Sequence, residues 1–285
     1  MKLSLAHTLR HYDKKNIGKD ILAGLIIMAV SIPISMGYAL IAGLPAVYGL
    51  YGSVFPILVF ALLSTSPQFI FGVDAAPAAL IGSTLLTLHV EAGSEEAMAV
   101  VPVLTFFVAM WLLAFSFMKA GKLVNYISAP VMGGFITGIC STIILMQVPK
   151  ILGGTAGTGE FFELAKHIGQ TAKHVNMPSI LLGVASLVIL LVAKKLVPKF
   201  PMAVVLMVAG ACYTRVGNVR ELGIQTLSKV ETGLPQWQIP DFSAVSIREA
   251  VTVSLSVAVV IMAETLLAEN NFAQKNGYRI DDNQE

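Results

Sequence analysis

Charge is what this sequence has least of. Asp, Glu, Lys and Arg together make up 13% of the 285 residues, where soluble domains carry about a quarter. A chain so poor in charge cannot coat a water-facing surface, and it falls in the membrane class. The net charge of +2 is spread over short basic clusters between apolar runs, so no nucleic-acid surface is expected. Cysteine is scarce too: Cys140 and Cys212 each lie inside an apolar run, where a thiol packs as a small hydrophobe. Neither a disulfide nor a metal site follows from them, and the five histidines have no metal-ligand spacing. A Gly-rich phosphate loop, a catalytic triad and a paired-carboxylate motif are all missing. The sequence therefore implies no cofactor and no enzyme.

What fills the chain instead is apolar sequence, 55% of all residues, with a mean hydropathy of +0.76. A crossing helix needs about 20 apolar residues. Eight runs qualify as spans: Asp20–Leu40, Val47–Leu63, Ala75–Leu88, Ala97–Phe117, Tyr126–Val148, Pro178–Val197, Met202–Arg215 and Ile247–Asn270. The third and seventh are short for a full crossing. Residues 1–19 are basic and amphipathic, and the run after them is too long for a signal-peptide core. The organisation expected is a cytoplasmic segment 1–19, spans one to seven over 20–216, an extracytoplasmic loop 217–246, and span eight with its following segment over 247–285. Pro149–Met177 also falls outside the membrane and could carry a short amphipathic helix around Glu160–Lys173. The GLPQWQIPDF stretch reads as an extended loop, with Trp237 suited to an interface. With the N-terminus inside, twelve of the nineteen Lys and Arg fall on the cytoplasmic side, the bias expected of short cytoplasmic loops. A multi-pass cell-membrane protein in a lipid bilayer, both termini cytoplasmic, is the expectation.

The block from Asp20 to Ser83 is broken by Pro and Gly more often than plain lipid-facing helices allow. Such breaks are tolerated at membrane depth where backbone is buried in protein or lines a cavity. Most telling is FGVDAAPAALIGSTLLTL. Here Asp74 can cap a helix, and Pro77 falls in the first turn, where its missing N–H costs little. A helix starting there inside the membrane would aim free N–H groups at the bundle, a ready anion site. The plainer alternative is a short helix or re-entrant loop without a ligand. Asp74 complicates matters, since its carboxylate competes with an anion for the same dipole. It is an N-cap alone, or a group that takes up a proton or cation during transport.

Glu264 follows fourteen uncharged residues, Ala250 to Ala263. An acid inside a span is costly and marks a functional site by default. Burial disfavours the charged form of a carboxyl, so protonation could accompany transport. Its alternative is a place near the helix end among headgroups or a Lys. Glu269, one further turn along, is expected at the interface. On the first span Pro33 frees a backbone carbonyl, and Ser35 or Tyr38 could hydrogen-bond a solute. The alternative there is a packed proline kink. Gly134 and Gly138 form a GxxxG step, expected to be a packing seam.

These residues resemble one family, the SulP sulfate permeases and their solute-linked anion-exchanger relatives. IPISMGYALIAGLPAVYGLYGSVFP looks like the first two helices and the AGLP–GLY signature. STSPQFIFGVDAAPAALIGS is similar to the segment opening the third helix. NYISAPVMGGFITGICSTIILMQVPKILG looks like the fifth helix, and AETLLAENNFAQKNGYRIDDNQE like the eighth followed by N-Q-E-L. The resemblance implies an all-α membrane protein: one seven-helix inverted repeat plus the first helix of the second repeat of a 7+7 transporter fold, ending before helix nine. By the same resemblance Ala75 and Ala76 would offer backbone N–H groups to a central anion. Tyr38 would line the site, and Glu264 would match the acid of proton-coupled symporters. Three departures bear on the substrate: Gly72-Val73 with Asp74 replaces Gly-Pro, Pro67 stands where the triplet has Arg, and Ile34 where Gln is common.

The function implied is secondary active transport of an inorganic anion, sulfate-type with bicarbonate or a dicarboxylate also open. Proton symport is expected ahead of Na+ coupling, with a homodimer allowed by the relatives' habit. The chain would then be a partial transporter. Two alternatives stand beside it: a nucleobase permease of related fold, and a non-transporting membrane subunit or degenerate half-protein.

Overall fold

The computed structural model describes residues 12–67, 69–122, 129–155, 157, 161–197, 200–219, 221–226, 233–235 and 239–285. After a 3₁₀ turn, Lys14–Asn16, nine α-helices follow among the described residues. They are α1 (Ile17–Ile41), α2 (Ala46–Leu63), α3 (Ala75–Thr87), α4 (Glu95–Phe117), α5 (Ala129–Ile151), α6 (Phe161–Thr171), α7 (Met177–Leu196), α8 (Met202–Val216) and α9 (Ile247–Asn276). Among the described residues there is no strand. Each expected span carries a helix, and α3 and α8 are indeed short, at 13 and 15 residues. Among the described residues five helices are long and apolar enough to cross a membrane. Trp237, residues 1–11 and Glu160 lie outside the described residues.

Local chemistry sets the helix ends. Ser94 Oγ accepts from Ala97 N–H at 3.1 Å and starts α4, with Glu95 and Glu96 against its positive end. Asn176 Oδ1 accepts from Ser179 N–H at 2.9 Å and starts α7, which ends on Lys194 and Lys195. The long α9 stops at Gly277, whose φ of +73° is left-handed, and Tyr278 N–H returns to the Ala273 carbonyl at 3.0 Å. Before α9, the exposed Asp241 accepts from the Ser243 hydroxyl at 2.6 Å and from its N–H at 2.9 Å, which together hold its carboxyl below the usual aspartate range.

The described chain divides into two compact units. The first contains residues 35–139 and 233–285. Its core is the seam of α4 against α9 and α3, where Leu85, Val100, Val103, Leu104 and Ala250 are no more than 1% exposed. Trp111 Nε1 donates to the Val251 carbonyl across this seam at 3.1 Å. Two glycines let the end of α1 come close to its neighbours. A Cβ at Gly49 would sit 2.0 Å from the Ser35 carbonyl oxygen, and one at Gly82 would sit 2.2 Å from that of Ile41. Gly134 and Gly138 behave otherwise: a Cβ at either meets nothing within 4 Å. Among the described residues, the expected GxxxG packing seam has no partner within that distance of either glycine.

The second unit contains residues 15–34 and 140–232. Here α7 packs on α8, and the amphipathic α6 buries Leu164 completely beside Gly157. Phe161 and Phe162, on the same short helix, stay 60% and 83% exposed. Cys140 and Cys212 are both free and exposed, so they do not pack in a core as expected, since apolar helix faces here are turned outward.

Gly49→Ala should push against backbone and cost about 1–3 kcal/mol, whereas Gly134→Ala should be neutral or stabilising by up to about 1 kcal/mol through helix propensity. Thermal unfolding of both variants in lipid or detergent checks the contrast.

Candidate functional site

The site is built where α3 begins. Between Thr65 and Asp74 the described residues are not helical. Phe69 and Phe71 pack against Phe60 of α2 with ring centroids 5.9 and 5.2 Å apart, which holds the strip in place. Asp74 is extended (φ −121°, ψ 152°), and its Oδ1 accepts from Ala75 N–H at 2.6 Å. The carboxylate thus serves as the N-cap, and it occupies the dipole's positive end with its own charge.

A cavity of about 630 Å³ lies in front of this helix start. Tyr38 from α1, Gly52 and Pro56 from α2, Gly72, Asp74 and Pro77 at the α3 start, Thr105 from α4, and Glu264 and Thr265 from α9 all line it. Both oxygens of Glu264 are buried and lack a hydrogen-bond partner. Asp74 is close enough to act electrostatically on Glu264 and on Tyr38. No lysine, arginine or histidine is among the described lining residues.

Of the residues singled out by sequence, Tyr38, Asp74 and Glu264 are brought together. Ser35 is buried at 3% exposure and does not line the cavity; its carbonyl instead packs on Gly49. Ala75 and Ala76 are likewise absent from the lining, and Ala75 N–H is taken by Asp74. Glu264 sits within its helix, in a cavity wall.

Glu269 departs from expectation. It is completely buried, with both oxygens unpartnered. The residues that bury it follow a turn at Gly277, and a hydropathy profile carries no sign that the chain doubles back there. The pair of acids five apart on one helix, followed by the acid-rich DDNQE, was the available signal. Thr65, whose N–H and hydroxyl both donate to Glu285, was not singled out either.

Apolar helices around a cavity that Asp74 and Glu264 both line define a multi-pass membrane protein with a solute site. The chain belongs to the Sulfate permease family, which it matches over residues 17–285. This is a family of transporters, not of enzymes. It is 28% identical, over 97% of its own length and 49% of the relative's, to a probable sulfate transporter of Mycobacterium tuberculosis. It is 27% identical to the sulfate transporter of Bos taurus, over 99% of this chain and 44% of that one. The chain thus spans about half the length of the curated relatives it matches. Among solved structures it is similar to the murine Solute Carrier 26 family member A9 anion transporter, captured in the inward-facing state. The TM-score is 0.81 at 26% identity, covering 99% of this chain and 50% of that one. It shares the fold of the transmembrane domain of the cyanobacterial bicarbonate transporter BicA, with a TM-score of 0.76 at 19% identity over 95% of this chain and 69% of that one. These neighbours carry the 7+7 helical fold expected from the sequence.

Asp74→Ala should cost about 1 kcal/mol by removing the cap, while Asp74→Asn should be close to neutral. Thermal melts of the two variants in the same lipid distinguish the cap from a general effect of lost charge.

Proposed function

We propose that this chain forms the substrate-facing part of a proton-coupled secondary transporter of an inorganic anion, sulfate foremost. It works in the cell membrane with its N-terminus in the cytoplasm. The observation that carries this is the pairing of Asp74 and Glu264 in one cavity whose described lining holds no basic residue. An anion entering such a cavity meets two acids. A unit charge repels another about 4 Å away by about 4 kcal/mol at an effective dielectric of 20, close to a thousandfold in affinity. Anion and proton therefore favour each other: a proton on Glu264 or Asp74 removes the repulsion, and by linkage the anion holds the proton. Bringing in the proton with the anion is symport.

Within this reading, Tyr38, which lines the cavity, offers its hydroxyl to the anion. Glu264 carries the exchangeable proton, because its oxygens have no partner. Asp74 keeps the helix start in place and makes an unprotonated cavity reject anions. Its dual part explains how a cap can stand where the family more often has a small residue. Bicarbonate and dicarboxylates satisfy the same charge logic. A neutral nucleobase does not need it.

Cells lacking their own sulfate uptake and expressing the natural protein should take up labelled sulfate faster as external pH falls, since proton binding precedes anion binding. Competition by bicarbonate, dicarboxylates and nucleobases sorts the substrate class. Glu264→Gln should remove the pH dependence, and a variant with an unchanged pH profile would exclude the coupling role. Asp74→Asn should raise apparent sulfate affinity at alkaline pH by about tenfold or more, because one repelling charge is gone.

A further inference from the structure

In the second unit, the link between α5 and α7 does not rise away from the helices it joins. Gly157 N–H donates to the Met146 carbonyl at 3.0 Å, and Asn176 N–H donates to that of Leu152 at 2.9 Å. Met146 lies more than one turn before the end of α5, about 7 Å back along an axis that rises about 1.5 Å per residue. The chain therefore turns back beside α5 before α6 starts. Leu164 packs at that level: a Cβ on Gly157 would lie 2.5 Å from its side chain and 3.6 Å from Met146 Cα. The other end of α6 returns to the end of α5, where a Cβ on Gly154 would lie 2.6 Å from Thr171. Thus α6 is tilted against α5, with Phe161 and Phe162 at its deeper end.

The helical repeat gives α6 three sides. On the first, Leu164 is buried, Ile168 and Thr171 are half-buried, and His167 Nε2 lies 3.3 Å from the Thr155 carbonyl oxygen. Glu163, Lys166 and Gln170 form a second side, polar and exposed. Phe161, Phe162, Ala165 and Gly169 form the third, apolar and also exposed, with the two rings edge to face at 5.8 Å. An apolar side set between a packed side and a charged one suits a helix lying where headgroups meet acyl chains, its apolar side sunk about 5–10 Å. The level of Met146 falls in that range. Lipid also covers the neighbouring turns of α7, a helix apolar enough to cross a membrane, where Met177 and Leu181 are 70% and 73% exposed. Lys166 stands one turn on from Phe162, so its stem can follow the apolar side while its ammonium reaches a phosphate. We propose that α6 is an interfacial membrane helix: Phe161 and Phe162 insert among phospholipid acyl chains, Lys166 meets the phosphates, and the second unit is held at a fixed depth. This role is independent of which solute the cavity of the first unit takes.

Spin labels test this in the natural protein, reconstituted in phospholipid vesicles and carrying Cys140→Ser and Cys212→Ser. Labels are placed singly through Phe161→Cys, Phe162→Cys, Ala165→Cys, Glu163→Cys and Gln170→Cys. At 161, 162 and 165 the label should be relaxed severalfold more by oxygen, which concentrates in lipid, than by a water-soluble nickel chelate. At 163 and 170 the order should reverse. Labels at 161 and 162 that the chelate reaches as readily as at 163 overturn the proposal. So do labels there that are immobile and reached by neither agent, since protein (another segment of the chain or a second copy) then covers the face. If a substituted protein fails to fold, photolabelling of the unsubstituted protein by a phospholipid with a diazirine on its acyl chain decides. The peptide holding Phe161 and Phe162 should be labelled along with α7, and label on α7 alone overturns the proposal.

Discussion

The first unit depends on two places where backbone touches backbone. The carbonyls of Ser35 and Ile41 press onto Gly49 and Gly82, at distances that leave no room for a Cβ. This contact draws the end of α1 against α2 and α3 together, and so brings the Tyr38 ring to the start of α3. Were either glycine to carry a side chain, the helices would have to shift apart, and the cavity wall with them. The solute site is thus a product of close packing before it is a product of polar groups.

Given that packing, the acids define the chemistry. Asp74 is required locally, as the cap of a helix that starts between others, and so cannot simply be absent. Its charge then dictates what the rest of the cavity must do. On the function proposed above, an anion would be tolerated only with a proton, and Glu264, whose buried oxygens lack a hydrogen-bond partner, would hold it. Stability and selectivity would then rest on the same side chain, Asp74.

Much of this was legible in the sequence. Run length and hydropathy located the helices, and the Asp-Ala-Ala-Pro pattern marked the start of α3. The isolation of Glu264 among fourteen uncharged residues singled it out. What the sequence did not reveal was long-range. Glu269 was expected at the interface because a helical pattern describes one helix at a time, whereas the acids that act on it, Asp282 and Glu285, lie beyond the turn at Gly277. Gly134 and Gly138 were expected in a seam because a GxxxG step signals opportunity for contact, and contact needs a second helix that the motif does not specify. Ser35 was expected to meet solute, but its position on α1 faces Gly49.

The shortness of α3 has one more consequence. Thirteen residues make a helix about 20 Å long, against a hydrocarbon layer of about 30 Å. A helix that reaches one face of the layer therefore starts well inside it, and a charge arriving there has crossed only part of the membrane's electric field. Each unit charge crossing the whole field changes energy by about 2.3 kcal/mol per 100 mV, so a partial crossing carries a proportionate share. The length of one helix thus sets an electrical distance for the site, and with it how strongly membrane voltage weighs on occupancy.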